Sequence, residues 1–511
     1  MGCSESNSGR LANKEEVRIN RTVTDPQIRK DSQRLGTKLG LVQKNTLKVK
    51  DNYTFLEIIS KDTLGSVHKV KHNIIGEFRA IRVIPLEVLK FYEVEKDFIG
   101  ELTKLSKLDH INLVKIFDYY IDDKNYFIVT ELVDGPSLAD KINESVSFNE
   151  ATAANIIKQL LAAISHLHNN DICHRNINSE NILFTSRKFG DFNIKLDGFD
   201  ATIFNTNPNA LKTIVDTPYY FAPEVLNKKY SIKSDVWSCG VLLYIMFTGQ
   251  PPFEGKYVDD IEVSIESGKV NFDSIEWDNI SSQAKKFILR LLEKDPNQRV
   301  TADEAIQDPW ITKMSTMDSK KINTDAIVHI NTNGSLKNFN AKLKLQHACI
   351  AFIVHQMSCN EQTKDLRKIF SQMDVSGEGK LSIDELREGY NKFFSKKSSF
   401  SQEDFEKIIV NFAQNNEDFI EYEDFLRATL SMDVILTEKN LELAFQYFDT
   451  ENKGYLTKEN LETTFGVSKE NSKENEIIKN ILNEVDANGD GSISFKEFKS
   501  LMKKTLEKVG R

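Results

Sequence analysis

From Tyr53 onward the apolar residues fall into short runs, "YTFLEII", "EFRAIRVI", "LVKIFDYYI" and "NYFIVTEL", rich in β-branched and aromatic residues, as strands are. One stretch among them, "FIGELTKLSKLD", has helical spacing instead. From about Ser147 the spacing turns mainly helical and stays so to "ADEAIQDPWI", which closes at Ile311. The pattern predicts a small mixed lobe followed by a larger helical one. Residues 312–335 are polar and broken, a predicted linker. Then "LKNFNAKLKLQHACIAFIVHQM" sets Leu336, Phe339, Leu343, Ile350, Ile353 and Met357 at near-helical spacing, with Lys337, Lys342 and Lys344 between them. A basic amphipathic helix of this kind suits a groove of the calmodulin type, and equally an ordinary packing role; the two are compatible. From about Glu361 a unit of roughly 37 residues, helix, acidic loop, helix, repeats along the rest of the chain.

Composition sharpens this picture. A chain of 511 residues is long enough for several cores, and 40% apolar with 28% charged residues is the profile of folded, soluble protein. The net charge of −9 is uneven: residues 1–50 hold 11 Lys or Arg against 5 Asp or Glu, a net +6, which leaves −15 for the rest. A basic head suits an anionic surface and an acidic body suits cations, and nothing in the distribution points to nucleic acid. The cysteines Cys3, Cys173, Cys239, Cys349 and Cys359 have no CxxC spacing, which argues against a disulfide framework or zinc site and for a reducing cytosol.

Apolar runs such as "GVLLYIMF" fall short of the roughly 20 residues that span a bilayer, so no transmembrane helix is predicted. The N-terminus, "MGCSESNSGR", lacks the apolar core of a signal peptide. It does fit the myristoylation pattern through Gly2 and Ser6, with Cys3 adjacent for palmitoylation. Two acyl chains, or one with a basic patch such as Arg10, Lys14, Arg18 and Arg21, give stable anchoring. The expectation is a tether to the cytoplasmic face of a membrane, the plasma membrane first, and otherwise a cytoplasmic location.

Two of the acidic loops meet the requirements of an EF-hand: oxygen ligands at positions 1, 3 and 5, a carbonyl at 7, Gly at 6 and a bidentate Glu at 12. In "DANGDGSISFKE" these are Asp486, Asn488, Asp490, the Ser492 carbonyl, Gly491 and Glu497. In "DVSGEGKLSIDE" they are Asp374, Ser376, Glu378, the Lys380 carbonyl, Gly379 and Glu385, with Ser376 a neutral and weaker ligand. "DTENKGYLTKEN" keeps Asp449, Glu451 and Gly454 but has Lys453 at position 5 and Asn460 at position 12, so weak binding at best is expected. "AQNNEDFIEYED" has Ala413 first, Asp418 in place of Gly and Asp424 last, and is expected to stay empty as a structural partner of the first loop. Pairing the loops 1 with 2 and 3 with 4 leaves one good site per lobe, and calcium can still open such a domain.

The region before the loops carries its own markers. "CHRNINSEN" lies between a helix-like and a strand-like run; "TPYYFAPEVL" holds Ala222, Pro223 and Glu224; "SDVWSCGVLLY" holds Asp235; and "DPNQRVTADEAIQDPWI" holds Arg299. In these residues the chain resembles a protein kinase, and with the EF-hands behind it, over residues 53 to about 505, it is similar to a calcium-dependent protein kinase of the plant and protist type. The implied fold is α+β: a bilobal kinase followed by an all-α, calmodulin-like domain. The implied segments are 1–50, a basic head with an acylation motif; 51–311, kinase-like; 312–360, a junction of autoinhibitory type; and 361–511, four EF-hands. Glu224 and Arg299 are expected to form a buried ion pair that holds the helical lobe.

At the chemistry positions the chain departs from the family. In "SKDTLGSV", Ser60 and Asp62 replace the first two glycines of the phosphate loop, leaving Gly65 and Val67. The strand lysine is Arg82, with Glu101 its expected partner on the helix. The catalytic base is Asn176, Asn178 stands where many such kinases have Lys, and His174, Arg175 and Asn181 persist. The magnesium motif DFG reads Gly198, Phe199, Asp200, and a one-residue slip bringing in Asp197 would need a local bulge.

A positioned base is worth roughly 100- to 10,000-fold in rate, and an amide cannot take a proton. The favoured expectation is therefore a membrane-tethered calcium sensor on a pseudokinase, acting as a scaffold or allosteric regulator of an unidentified protein, with the EF-hands engaging the junction helix. Two alternatives stay open: a weak calcium-dependent serine/threonine kinase using Asp197 or Asp200 for metal, and a nucleotide-binding switch without transfer using Arg82 and Glu101. Calcium is the expected cofactor. The resemblance implies ATP and magnesium, and the lost positions argue against their binding.

Overall fold

The computed structural model describes residues 48–144, 148–188, 190–203, 218–229, 231–315, 341–360, 363–394, 419–430, 432–465 and 472–509. Gly2 and Cys3, most of the linker with Leu336 and Phe339, and Ala413 and Asp418 of the second loop lie outside them. Among the described residues no helix is long and apolar enough to cross a membrane.

Strands β1 (Tyr53–Asp62), β2 (Gly65–His72), β3 (Phe78–Pro85), β4 (Ile116–Ile121) and β5 (Asn125–Glu131) form one antiparallel sheet in the order β1-β2-β3-β5-β4. Helix α1 (Glu95–Leu105) buries Phe98 and Leu102 in the same core as Ile84 and Ile128 of the sheet. The helical lobe is organised by α2 (Glu150–Asn169) and α3 (Lys233–Thr248). Nearly every described residue of α3 is buried, which is why its sequence is apolar on all sides. The hairpin β6 (Ile182–Phe184) and β7 (Ile194–Leu196) carries the segments on either side of the cleft.

Glu224 and Arg299 form the expected pair, with Arg299 Nη1 donating to Oε1 at 2.7 Å and Nη2 to Oε2 at 3.0 Å. This bidentate geometry compensates two desolvated charges.

The second unit is built on α4 (Ala341–Met357). The sequence suggests an amphipathic helix over 336–357; the described part is instead buried on several sides, with Leu345, Ala348, Phe352, Val354 and Met357 all in the core. It is followed by α5 (Lys364–Met373) and packs against α6 (Tyr422–Thr429), α7 (Glu438–Phe448) and α8 (Ser472–Val485). Two-residue ladders join the loops in pairs: β8 (Leu381–Ser382) with β9 (Phe419–Ile420), and β10 (Tyr455–Leu456) with β11 (Ile493–Ser494). This core takes in Ile111 of the kinase-like unit, so the two units share apolar contact.

Candidate active-site cleft and calcium loops

The β1–β2 turn, where a phosphate loop would be, closes tightly. Asp62 pairs with Gly65 across it, and its Oδ1 accepts from the amides of Leu64 (2.9 Å) and Gly65 (3.0 Å). Gly65 has φ +151°, and a Cβ there would sit 2.0 Å from the Val83 carbonyl oxygen, so only glycine permits the approach. Leu64 at the tip is 2% exposed and belongs to the main core. Ser60 and Val67 face each other in the ladder, and Val67 faces Arg82.

Arg82 is held by two acids. Its Nη2 donates to Asp62 Oδ2 at 2.8 Å, and its Nε lies 2.9 Å from Asp200 Oδ1, an ionic contact whose angle does not make a hydrogen bond. The expected pair with Glu101 is not formed: Glu101 accepts instead from Lys104 at 2.8 Å, one turn along α1. The physical reason is competition, since Asp62, absent from an ordinary glycine loop, offers Arg82 a carboxylate across the hairpin. Asp200 begins a short helix, Asp200–Ile203, that packs against α1. The cleft thus holds two carboxylates, neither of them at position 198, and Arg82 pairs with both. Burial pushes the Asp200 and Asp197 carboxyls above the usual range, with Arg82 opposing in both.

The catalytic-loop region is tied together by amides. Asn178 Nδ2 donates to Asn176 Oδ1 (2.9 Å), Asn181 Nδ2 donates to the Asn176 carbonyl (2.8 Å), and Asn178 Oδ1 accepts from the Asn181 amide (3.0 Å). His174 is fully buried: its Nε2 donates to the Asp197 carbonyl (3.0 Å) and its amide donates to Asp235 Oδ2 (2.9 Å). Gly198 has φ +89°, and a Cβ on it would lie 2.3 Å from Asn181 Cγ. The Asn181 amide therefore occupies space that an aspartate at 198 would need.

Calcium loops 1 and 4 share one internal pattern. In the first, Asp374 Oδ1 accepts from the amides of Gly377 (2.7 Å) and Glu378 (3.0 Å), and Oδ2 from Gly379 (2.7 Å), while Glu385 Oε1 accepts from Ser376 (2.7 Å). In the fourth, Asp486 accepts from Gly489 (2.7 Å), Asp490 (3.2 Å) and Gly491 (2.7 Å), and Glu497 Oε1 from Ala487 (2.9 Å). Asn488 Nδ2 and Ser492 Oγ both donate to Asp490, and the Lys380 ammonium pairs with Glu378 at 3.7 Å. Backbone amides thus fold over the carboxylates at positions 1 and 12, residue types that a hard cation takes; among the described residues no three His, Cys, Asp or Glu side chains converge on one metal position.

In the third loop the Lys453 ammonium pairs with Glu451 at 2.7 Å, and Asn460 spends its amide on Thr457 and Thr450. Position 5 of this loop is thus a cation and position 12 carries no carboxylate.

Surroundings separate loop 1 from loop 4. Burial first, and Glu385 nearby, push the Asp374 carboxyl up to about 6. Hydrogen bonds from Ser492 and Ser494 instead pull Asp490 and Glu497 down.

Sequence reasoning missed the seam between the two units. Lys115, just before β4, pairs with Glu423 of the second loop; the Glu423 amide donates to Asp109 Oδ2 (2.7 Å), and His355 Nδ1 lies 2.9 Å from Glu423 Oε1. Arg79 Nη2 donates to the Gln356 carbonyl (2.6 Å) with its guanidinium 3.8 Å from the Phe117 ring centre. Glu131, at the end of β5, sits between Lys195 (2.8 Å) and Arg367 of α5 (Lys364–Met373; 3.5 Å). The acidic residue at position 11 of a loop with no calcium signature was the one local hint.

A protein kinase domain model matches residues 53–311, and an EF-hand domain pair model matches residues 363–430 and 438–503. The chain is 32% identical over 469 residues to calcium-dependent protein kinase 4 of Plasmodium berghei (strain Anka), covering 90% of this chain and 88% of that one. It is 33% identical to calcium-dependent protein kinase 3 of the same organism (91% and 82% covered) and 31% identical to calcium-dependent protein kinase 7 of Oryza sativa subsp. japonica (91% and 84%). The fold and the loops define a kinase-type bilobal unit joined to EF-hands, and the chain belongs to the calcium-dependent protein kinase family.

Proposed function

We propose that this chain is a membrane-tethered calcium sensor whose kinase unit no longer transfers phosphate and instead presents a calcium-dependent surface to a protein partner. The observation that carries the reading is Arg82 held between Asp62 and Asp200. In an active kinase the strand cation faces phosphates and the acid faces magnesium; here each neutralises the other. With an amide at Asn176 and the Asn181 side chain against Gly198, these residues do not fit a Mg·ATP complex aligned for transfer. Asn178 adds a further amide and no charge.

The calcium loops do fit their ion. Asp374, Ser376, Glu378, the Lys380 carbonyl and Glu385 would hold one calcium, and Asp486, Asn488, Asp490, the Ser492 carbonyl and Glu497 a second; the ion would supply fixed charge, and Glu385 and Glu497 at position 12 would be drawn toward it. Because α4 is part of the EF-hand core and the same domain touches Lys115 and Glu131, such a pull reaches the kinase unit directly. The acylation pattern at Gly2 and Cys3 and the basic head support the cytoplasmic face of a membrane as the place of action.

The test is a radiolabelled ATP assay with and without calcium, alongside limited proteolysis of the same samples. Calcium-dependent change in cleavage with no γ-phosphate transfer is the expected result; transfer abolished by Asn181→Ala would establish a weak kinase instead.

A further inference from the structure

The two loops with complete ligand sets differ in what touches their glycines. In loop 1, Gly377 and Gly379 lie against the kinase unit: a Cβ on Gly377 would meet Lys158 Cε at 2.1 Å, and one on Gly379 would meet His110 Nε2 at 1.7 Å. The corresponding Gly489 and Gly491 of loop 4 have nothing within 4 Å among the described residues. Lys158, half-buried on α2, donates from Nζ to the Val375 carbonyl at 2.9 Å, and His110 Nε2 is 3.3 Å from the Glu378 carbonyl. Both carbonyls belong to positions 2 and 5, whose backbone oxygens are not calcium ligands. The contacts and a bound ion are therefore sterically compatible, and what remains between them is charge.

That charge has a sign. The Lys158 ammonium lies within electrostatic reach of Asp374 and Glu385, the first and last ligands of the loop. It stabilises those carboxylates while no cation is bound and repels a divalent one. Partial burial strengthens the interaction relative to an exposed pair.

Resting on the calcium reading above, we propose that Lys158 makes loop 1 a kinase-coupled, lower-affinity calcium site, while loop 4 binds independently of the kinase unit. By reciprocity, calcium in loop 1 weakens the hold of the kinase unit on that loop by the same factor that docking weakens calcium binding. The first site then reports on docking and the fourth on calcium alone.

The experiment is calorimetric calcium titration of the full chain in two backgrounds, Glu497→Gln, which leaves loop 1, and Glu385→Gln, which leaves loop 4. Adding Lys158→Met to Glu497→Gln should tighten calcium binding by about 5-fold, the low end of ordinary coupling. Adding it to Glu385→Gln should change nothing. Far-UV circular dichroism and melting of each variant confirm that the chain is folded, and Lys158→Arg, which keeps the charge, should restore the weaker binding. Unchanged affinity in the Glu497→Gln background, or an equal change in both, overturns the coupling. No calcium uptake at all by the Glu497→Gln chain overturns the calcium reading of loop 1 itself.

Discussion

The Asn181 carboxamide lies where a Cβ on Gly198 would have to go, with its Cγ 2.3 Å from that position. Loss of the magnesium acid and the placement of a retained residue are thus one structural fact. Asn181, which in the family motif holds metal, here fills the gap and hydrogen-bonds the Asn176 carbonyl.

Restoring the acid alone should therefore fail. Gly198→Asp puts a Cβ at φ +89° and against Asn181, and is expected to cost about 2 kcal/mol of stability. Thermal melting should show a fall of several degrees and no new response to Mg·ATP.

Removing the cleft cation should unbalance two carboxylates. Arg82→Ala leaves Asp200 buried and Asp62 half-exposed without their partner, and a cost of about 2 kcal/mol is expected, below the usual range for a fully buried pair because Asp62 keeps some water. The pH dependence has a definite sign. A carboxyl raised in the folded state binds its proton more readily there than in the unfolded chain, so stability rises as pH falls through the folded value. Since Asp200 is already raised by burial with Arg82 opposing, the substitution raises it further. Denaturation at successively lower pH should show the deficit of the variant shrinking as pH falls through the folded value of Asp200.

His174 should remain neutral well into acid. Burial pulls its pKa down to about 4 despite the pull of Asp235. Folding then gives up a proton that the unfolded histidine holds below its ordinary value, so the contribution of this group to stability is full above that value and is lost as pH falls toward 4. Nitrogen-15 NMR of the ring should show no protonation shift between pH 7.5 and 5.5; a midpoint near 6.5 would contradict the burial.

Glu423 should behave as a docking residue. It is flanked by Lys115 and His355, both buried, and Glu423→Ala leaves Lys115 with Asp109 at 3.3 Å as its remaining ion-pair partner. A loss of about 3 kcal/mol from the seam is expected. Hydrogen exchange should quicken at β4 and around Val375 while the protection of α3 is unchanged.

Much of this was legible in the chain because it is local. The β-rich runs from Tyr53, the helical switch near Ser147 and the Gly at position 6 of loops 1 and 4 each follow from spacing that neighbouring residues impose. The Glu224–Arg299 pair was legible only through family resemblance. What could not be read was long-range pairing of charges. Family analogy pairs Arg82 with Glu101, whereas Asp62 and Asp200 are the acids that reach it. Lys115 and Glu423 are 308 residues apart and carry no local signature of each other. The junction helix looked amphipathic because the lysines at its start marked one face; its later turns are enclosed by the EF-hand core.

In the proposed function the cleft, neutralised by Arg82 between Asp62 and Asp200, no longer transfers phosphate. Calorimetric titration of the full chain with Mg·ATP at saturating calcium tests it most directly. No saturable heat up to about 1 mM nucleotide is the predicted result; micromolar binding that disappears with Asn181→Ala would contradict it.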